Sequence, residues 1–410
     1  MLLLRIQLPA EKLLKEMLLA TKWFIPPRVP HRVERPRLNT TLAAALSPEN
    51  RLVLVCAPAG YGKSSLLSDW IHSGPAGIRF NWLSLDAADN DPQLFFAYLA
   101  ASLANAAPAA AEQLTPLIES PQPVPAELFT STLVNALAAE KDAHMLVLDD
   151  YQLIQSAPIH ATLTSLIDHA PPGFHLVVIS RADPPFPLHR YRARGQLVEI
   201  RMAELRFTLP EITGLLDSSR VGSLGPAEID ILENRTEGWV AGIQMAVLSL
   251  RGNADPTQFF HNLAGSQRFI LDYLTEEALK QQPEPVQRFL LETSILSRLN
   301  ADLCDAVATM PKTAGEEYST SRDILAHLEH SNLFLIPLDN EGVWFRYHHL
   351  FADLLQARLR QSADADREII LQRRACEWFE KAGLTAEAIQ YAILGKDFEK
   401  AARLVEQNTL

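Results

Sequence analysis

The run from Ala57 to Ser64, APAGYGKS, has the residue types and the spacing of a phosphate-binding loop. Gly60 and Gly62 permit the backbone angles that turn successive N–H groups onto phosphate oxygens. The ammonium group of Lys63 can neutralise the β- and γ-phosphates, and the hydroxyl group of Ser64 can ligate Mg²⁺. These residues predict that the chain binds a nucleoside triphosphate.

The segments on either side of this loop supply the strand and the helix that it needs. Residues 51–56, RLVLVC, form an apolar run typical of a buried strand, and residues 63–72 carry apolar side chains at helical spacing. The helix would point the positive end of its dipole at the same phosphate oxygens. An ordinary strand–turn–helix is the alternative interpretation. The loop residues that we assign to the nucleotide are Ala57, Pro58, Ala59, Gly60, Tyr61, Gly62, Lys63 and Ser64.

Charged side chains follow two later strands of the predicted sheet. The apolar run HMLVLDD ends in Asp149 and Asp150, and Arg181 follows the run VVIS. We expect Asp149 to hold Mg²⁺ opposite Ser64, Asp150 to polarise an attacking water, and Arg181 to sense the γ-phosphate. Ligands of parallel sheets bind at the carboxyl ends of the strands, where all of these residues fall. The alternatives are a solvated strand end for the two aspartates and a surface ion pair for Arg181.

The alternation of strands and helices predicts the fold class. Nearly every predicted strand is apolar throughout, which is typical of a parallel sheet covered on both faces by helices. The predicted strands are residues 51–56, 78–86, 144–150, 174–180 and 196–200. The predicted helices between them are residues 63–72, 92–103, 126–140 and 159–169, with proline- and serine-containing breaks near 116–125. We therefore expect an α/β nucleotide-binding domain over residues 46–205.

The pattern changes to helices after Phe207, and we expect a helical subdomain over residues 206–285. Residues 286–360 combine three predicted helices with a hairpin signal, in which two apolar runs flank the turn DNEG, and a fourth predicted helix follows at residues 348–360. Helices followed by a hairpin predict a winged-helix domain. Residues 361–410 resemble the paired helices of an α-solenoid of the tetratricopeptide type.

The N-terminal region divides into two segments. Residues 1–22 predict a short amphipathic helix, with a membrane-surface anchor as the alternative. Residues 23–38, WFIPPRVPHRVERPRL, contain too many prolines for a regular helix and predict an extended arm, which we place within a segment at 23–45. The arm is either a linker or a cover for the nucleotide base, in which case Pro27, Arg28 or Arg35 would lie close to the ligand.

Composition limits the classes of function. The 410 residues, of which 48% are hydrophobic and 21% charged, are typical of an ordinary globular protein, and no apolar run approaches the length of about 20 residues that crosses a bilayer. The three cysteines, Cys56, Cys304 and Cys376, match no metal or redox spacing, which favours a cytoplasmic protein. The net charge of −12 argues that this chain is not itself a strong binder of nucleic-acid backbone.

Five motifs in order carry a family resemblance. The runs AGYGKSSLL, LVLDDYQLI, VVISR, TEGWVAGIQMA and FRYHHLFADLL resemble the signal-transduction ATPases with numerous domains (STAND). More narrowly, they look like the N-terminal part of the large ATP-binding LuxR-family regulators of the MalT type. The resemblance covers residues 21–410. It implies a switch in which ADP holds a closed monomer, and in which an inducer and ATP open it for self-association.

The resemblance also implies a C-terminal sensor array that binds the inducer and a helix-turn-helix module that binds DNA. Both would lie outside this chain, so the inducer and the target DNA are not identified. By motif, the phosphates and Mg²⁺ would be held by Gly60, Gly62, Lys63, Ser64 and Ser65, with Asp149 and Asp150 as the Walker B pair and Arg181 as the sensor.

Two further positions take their roles from the same resemblance. Gly238 and Trp239 stand where the family has a Gly-x-Pro contact with the nucleotide, although the proline is absent here. His348 stands where the winged-helix histidine of the family reaches the β-phosphate of ADP. From the residues alone, Gly238–Trp239 could equally be helix packing and His348 a structural cap.

Three functions are therefore under consideration. The first is a slowly hydrolysing ATP/ADP switch related to transcription activators. The second is a catalytic AAA-type ATPase engaged in remodelling or nucleic-acid processing, for which no clear trans-acting arginine motif is visible. The third is an interaction module that binds nucleotide only for its structure.

Replacing Lys63 by alanine tests the loop assignment. Lys63→Ala should abolish nucleotide binding, because the site loses its principal positive charge toward the phosphates. Calorimetric titration of the purified variant with ATP measures this effect. An affinity for ATP equal to that of the unmodified chain would contradict the assignment of residues 57–64 to a phosphate loop.

Overall fold

The computed structural model describes most of the chain as two compact units. The described residues are 18–28, 32–104, 106–120, 122–219, 224–250, 268–309, 320–339, 341–361 and 366–408. The first unit comprises Met1–Ala57 and Tyr61–Leu205, and the second comprises Pro58–Gly60 and Arg206–Leu410. The predicted amphipathic helix over residues 1–22 lies mostly outside the described residues. Among the described residues, no helix is both long and apolar enough to span a membrane.

A parallel five-stranded sheet forms the centre of the first unit. In chain order its strands are β1 (Leu52–Cys56), β2 (Ile78–Ser84), β3 (Ala143–Asp149), β4 (Phe174–Ser180) and β5 (Leu197–Arg201). Their spatial order is β2-β3-β4-β1-β5, and every neighbouring pair is parallel. All residues of β1 and β4 are buried, which explains their continuous apolar sequences. The predicted fold class is confirmed.

Four of the helices in this unit lie close to the positions that the sequence predicts, and the other four were not predicted. The helices of the first unit are Pro36–Ala44, Lys63–His72, Pro92–Leu103, Pro108–Ile118, Ala126–Ala139, Ala157–His169, Leu188–Ala193 and Met202–Leu205. Single 3₁₀ turns lie at Ala20–Trp23, Ala87–Asn90 and Tyr151–Leu153. We call Lys63–His72 the loop helix.

Two local predictions differ from the structure, and in both cases proline is the reason. Pro116 was expected to mark a break, but it lies inside Pro108–Ile118, near the end of an alanine-rich helix that buries Leu114. The arm was expected to contain no regular helix through residue 38, but a helix begins at Pro36. Proline is tolerated in the first turn of a helix because its missing N–H has no intrahelical partner there.

The second unit is mainly helical and contains a short hairpin. Its helices before the hairpin are Leu209–Ser218, Pro226–Thr236, Val240–Leu250, Arg268–Leu274, Glu284–Thr293, Ala301–Val307 and Ser321–His330, with a π-helical turn at Thr275–Leu279. Strands β6 (Leu335–Pro337) and β7 (Phe345–Tyr347) are antiparallel. The carboxylate of Asp339 accepts hydrogen bonds from the backbone N–H groups of Val343 and Trp344 at 3.0 and 2.8 Å, which stabilises the turn.

Four helices follow the hairpin, at His349–Gln361, Arg367–Lys381, Thr385–Leu394 and Phe398–Asn408. The second and third of these pack together through the stacked rings of Phe379 and Tyr391, whose centroids lie 5.1 Å apart. The prediction of a helical C-terminal region is confirmed.

A buried ion pair anchors the chain just before the arm. The Nζ atom of Lys22 lies 2.6 Å from Oδ1 of Asp89, and the Asp89 side chain is fully buried. Lys22→Met should lower the free energy of unfolding of the first unit by about 3 kcal/mol, because it leaves a buried carboxylate without its cation. Urea denaturation measures the change.

Arg79→Ala is the matched control, because the Arg79–Asp142 pair is more than half exposed on both sides. It should change the unfolding free energy by less than about 1 kcal/mol. Equal effects of the two substitutions would contradict the anchoring role of Lys22.

Candidate functional site

The backbone of the predicted phosphate loop has the conformation that a phosphate cradle requires. Gly60 and Gly62 adopt φ angles of 78° and 76°, in the left-handed region that favours glycine. Gly62 caps the loop helix, and its carbonyl accepts the first helical hydrogen bond from the N–H of Leu66 at 2.9 Å. The N-terminus of the loop helix therefore begins directly at the end of the loop, as an anion site requires.

Lys63 is held over the loop in a buried position. Its Nζ atom donates to the carbonyl oxygen of Ala57 at 2.8 Å, and the residue is only 8% exposed. Burial lowers the pKa of Lys63 to about 8, and the nearby charge of Arg181 acts in the same direction. A buried ammonium group is costly unless negative charge compensates it. A phosphate group would supply that charge.

Ser64, in the first turn of the loop helix, lies beside Asp149 at the carboxyl end of β3. The hydroxyl group of Ser64 donates to Oδ1 of Asp149 at 2.9 Å. Burial raises the pKa of Asp149 to about 6, and the charge of Asp150 raises it further. Hydroxyl and carboxylate oxygens are the protein ligands that Mg²⁺ uses together with water and phosphate oxygens. The donor set at this position therefore fits Mg²⁺.

Gln152 connects the ends of β3 and β4. Its side-chain N–H donates to Oδ1 of Asp150, and its Oε1 accepts the backbone N–H of Arg181, both at 2.9 Å. Asp150 itself has a φ angle of 60°, in the left-handed region that aspartate adopts more readily than most residues. The structure thus brings Asp149, Asp150 and Arg181 to one edge of the sheet. Sequence reasoning missed Gln152: the residue lies within the quoted run LVLDDYQLI, but its type and spacing did not mark it as a bridge between two strand ends.

Arg201 is a second arginine at this edge that sequence reasoning missed. It ends β5, where it is level with Cys56 of β1 in the parallel register. Its guanidinium group forms ion pairs with Asp183 and with Glu199. The predicted strand stopped at Ile200, so Arg201 was not recognised as a residue at the strand's carboxyl end.

The arm contacts the loop helix. The hydroxyl group of Ser68 donates to the carbonyl oxygen of Pro26 at 2.5 Å. Pro27 is exposed, and Arg28 lines a cavity of 400 Å³ with residues of the loop helix that include Asp69. Arg35 is buried and donates to the carbonyl oxygen of Leu205 at 2.8 Å. The contact of Pro27 or Arg28 with a nucleotide base stays a prediction.

The second unit contains the two positions that the family resemblance singled out. The indole N–H of Trp239 donates to the carbonyl oxygen of Ala59 at 3.0 Å, and both residues belong to this unit. His348 is 1% exposed, and its Nε2 lies 2.9 Å from the carbonyl oxygen of Thr236. Burial lowers the pKa of His348 to about 4. The predicted contact of His348 with ADP stays a prediction.

Comparisons with known proteins agree with these features. A family model described as "AAA ATPase domain" matches residues 32–179, and one described as "MalT winged helix domain" matches residues 275–368. The serine/threonine-protein kinase PknK of Mycobacterium tuberculosis (strain ATCC 25618 / H37Rv) is 32% identical over 377 residues, which are 92% of this chain and 33% of the relative. The HTH-type transcriptional regulator MalT of Cronobacter sakazakii (strain ATCC BAA-894) is 32% identical over 383 residues, 93% of this chain and 41% of the relative.

The chain thus spans between a third and about two fifths of the length of these curated relatives. Among solved structures, the Walker-type ATPase PABY2304 of Pyrococcus abyssi matches with a TM-score of 0.54 at 14% identity, covering 82% of this chain and 99% of that one. This likeness shows the fold. The ATPase and winged-helix predictions are confirmed, and the ATPase domain implies nucleotide binding.

Replacing Gln152 by alanine tests the bridge between the strand ends. Gln152→Ala should lower the rate of ATP hydrolysis by between about 10- and 100-fold, because Asp150 and Arg181 lose a common support. The affinity for ADP should be retained, since the phosphate loop itself is unchanged and ADP lacks the γ-phosphate that Arg181 would contact. Single-turnover hydrolysis and calorimetric titration separate the two quantities.

Gln155→Ala is the control, because Gln155 lies in the same segment but is exposed. It should leave both quantities unchanged. A loss of hydrolysis in both variants, or in neither, would contradict a positioning role for Gln152.

Proposed function

Because the chain joins an AAA-type P-loop ATPase domain to a MalT-type winged-helix domain, we propose that it is the nucleotide-dependent switch of a transcriptional regulator. One observation carries the proposal. Residues Pro58–Gly60 of the phosphate loop belong to the same compact unit as the winged-helix hairpin. Within that unit, Trp239 and Ala241 donate hydrogen bonds to the carbonyl oxygens of Ala59 and Gly60, and we propose that movement of the hairpin reaches the loop through them.

The proposed ligands are ATP and ADP with Mg²⁺. Lys63 and the loop N–H groups would bind the phosphates, and Ser64 and Asp149 would hold the metal ion, which neutralises charge on the phosphate oxygens when it is bound. Asp150 would orient the attacking water, and Arg181 would distinguish ATP from ADP by its bond to the γ-phosphate. Ser65 would add its backbone N–H to the phosphate contacts at the start of the loop helix.

Slow hydrolysis suits a switch because the nucleotide then stays bound long enough to keep the protein in one conformational state. A ligand changes a conformational equilibrium only when it binds the two states with different affinity. We propose that ADP favours a closed monomer and that ATP, with an inducer, favours self-association in the cytoplasm. Contact with DNA would come through a helix-turn-helix module outside this chain, as the name of the MalT relative suggests for that protein.

The purified chain offers a direct test of this function. It should retain ADP through purification and hydrolyse ATP at a rate below about 1 s⁻¹, the lower end of typical enzyme turnover. Chromatography of the nucleotide released by acid and a phosphate-release assay measure the two quantities, and Lys63→Ala provides the background. Turnover of tens per second, with no retained nucleotide, would favour a catalytic AAA-type ATPase and overturn the switch.

A further inference from the structure

Trp239 occupies a narrow slot that only glycine neighbours permit. Its side chain is fully buried. A Cβ atom on Gly60 would lie 2.7 Å from its Nε1, and a Cβ atom on Gly242 would lie 2.6 Å from its Cε3. Distances this short do not occur between real side chains, so both glycines are required for the indole ring to fit. The fit indicates a specific role for the tryptophan in addition to burial of apolar surface.

Two successive carbonyl groups of the phosphate loop are held at this slot. The indole N–H of Trp239 donates to the carbonyl oxygen of Ala59, and the backbone N–H of Ala241 donates to the carbonyl oxygen of Gly60, both at 3.0 Å. All of these residues lie in the second unit.

A trans peptide group is planar, with its carbonyl and its N–H on opposite sides. Holding the carbonyls of Ala59 and Gly60 therefore fixes the directions of the N–H groups of Gly60 and Tyr61. These are N–H groups of the kind that a phosphate loop directs toward its anion. Trp239 and Ala241 thus hold the loop by its carbonyl groups, which point away from the N–H groups that would face the phosphates.

The turn that carries Trp239 is held by the hairpin and the residues that flank it, which we call the hairpin segment (residues 334–349). The guanidinium group of Arg346, on β7, makes two hydrogen bonds of 2.8 Å to the carboxylate of Glu237. Although burial opposes it, this pairing holds the pKa of Glu237 down at about 2. The N–H of His349 also donates to Glu237, at 3.1 Å. Glu237 has a φ angle of 49°, so the turn adopts a backbone conformation that its neighbours must stabilise.

Aromatic contacts also join the hairpin segment to the side chain of Trp239. The rings of Phe334 and His348 pack edge-on against Trp239, with centroid distances of 5.3 and 6.0 Å. Because His348 also contacts the carbonyl oxygen of Thr236, the hairpin segment contacts both the ring of Trp239 and the turn before it. A continuous set of contacts therefore runs from Arg346 and His348, through Trp239, to the loop carbonyls.

We propose that Trp239 is a positioning residue through which the winged-helix hairpin controls the affinity of the phosphate loop for the phosphates of the nucleotide. With the Arg346–Glu237 pair intact, the loop N–H groups are held ready for an anion. When the pair opens, Trp239 shifts and the cradle loses its fixed geometry. This inference rests on the proposed function and names the regulation of the same site.

Trp239→Phe tests the first half of the inference, because phenylalanine keeps an aromatic ring but lacks the N–H donor. The affinity for ADP should fall by about 3- to 10-fold, the worth of one hydrogen bond. The affinity for adenosine, which has no phosphates, should not change. Calorimetric titration of the full chain measures both ligands. Trp378→Phe, a change of the same kind in a helix beyond the hairpin, should alter neither affinity.

Arg346→Met tests the second half, in a double-mutant cycle with Trp239→Phe. Alone, it should weaken ADP binding by about fivefold or more, since the buried carboxylate of Glu237 loses both hydrogen bonds to Arg346 and keeps the longer pairing with Arg206, at 3.5 Å. In the Trp239→Phe background it should weaken ADP binding by less than about twofold, because the connection is already broken. If Arg346→Met lowers the melting temperature into the range of the assay, Glu237→Gln combined with Arg346→Met removes both charges and takes its place.

The outcomes separate the inference from the proposed function. Unchanged ADP affinity in Trp239→Phe, or equal loss of ADP and adenosine binding, would overturn the role of Trp239 while Lys63→Ala still reports on the nucleotide site. Additive effects of Trp239→Phe and Arg346→Met would overturn the control by the hairpin. A full effect of His348→Asn in the Trp239→Phe background would indicate that His348 contacts the nucleotide directly.

Discussion

The direction of two peptide groups in the phosphate loop is the constraint on which the other features of the site depend. A loop can turn its N–H groups toward an anion only if its carbonyl groups find donors elsewhere. The carbonyls of Ala59 and Gly60 find theirs on Trp239 and Ala241, and Trp239 lies 180 residues beyond Ala59 in the chain. The loop motif is therefore local in sequence, but its binding conformation is completed by a distant segment.

The buried charges of the site are balanced in a way that favours a charged ligand. Burial lowers the pKa of Lys63 and raises the pKa of Asp149, so each group is pushed toward its neutral form. Phosphate groups would stabilise the ammonium form of Lys63, and a divalent cation would stabilise the carboxylate form of Asp149. Phosphate groups alone would compensate only the charge of Lys63, and a metal ion alone only that of Asp149. A nucleotide with its metal ion would compensate both. Opposite shifts on neighbouring groups are typical of functional sites.

Local pattern predicts much of this architecture, because strands and helices follow from periodicity. The loop helix begins and ends at the predicted residues. Because the carboxyl ends of parallel strands meet at one edge of a sheet, the sequence also placed Asp149 and Arg181 at the same edge, as the structure does. The same reasoning missed Gln152 and the docking of Trp239 on Ala59. Those contacts are side-chain hydrogen bonds between segments that lie 29 and 180 residues apart in the sequence. Periodicity carries no information about them.

The hydrogen bond of His348 to the turn before Trp239 also determines the role of its second ring nitrogen. Since Nε2 faces a carbonyl oxygen, that of Thr236, Nε2 carries the proton and donates it. Burial lowers the pKa of His348 to about 4, so the ring is neutral at physiological pH and Nδ1 is left as an acceptor. Nδ1 would donate to a phosphate oxygen only if the ring gained a second proton, and the negative charge of a phosphate would raise the pKa of His348 in that direction. The contacts of His348 with Thr236 and Trp239 need only the proton on Nε2, so control through the turn and a direct contact with ADP are compatible.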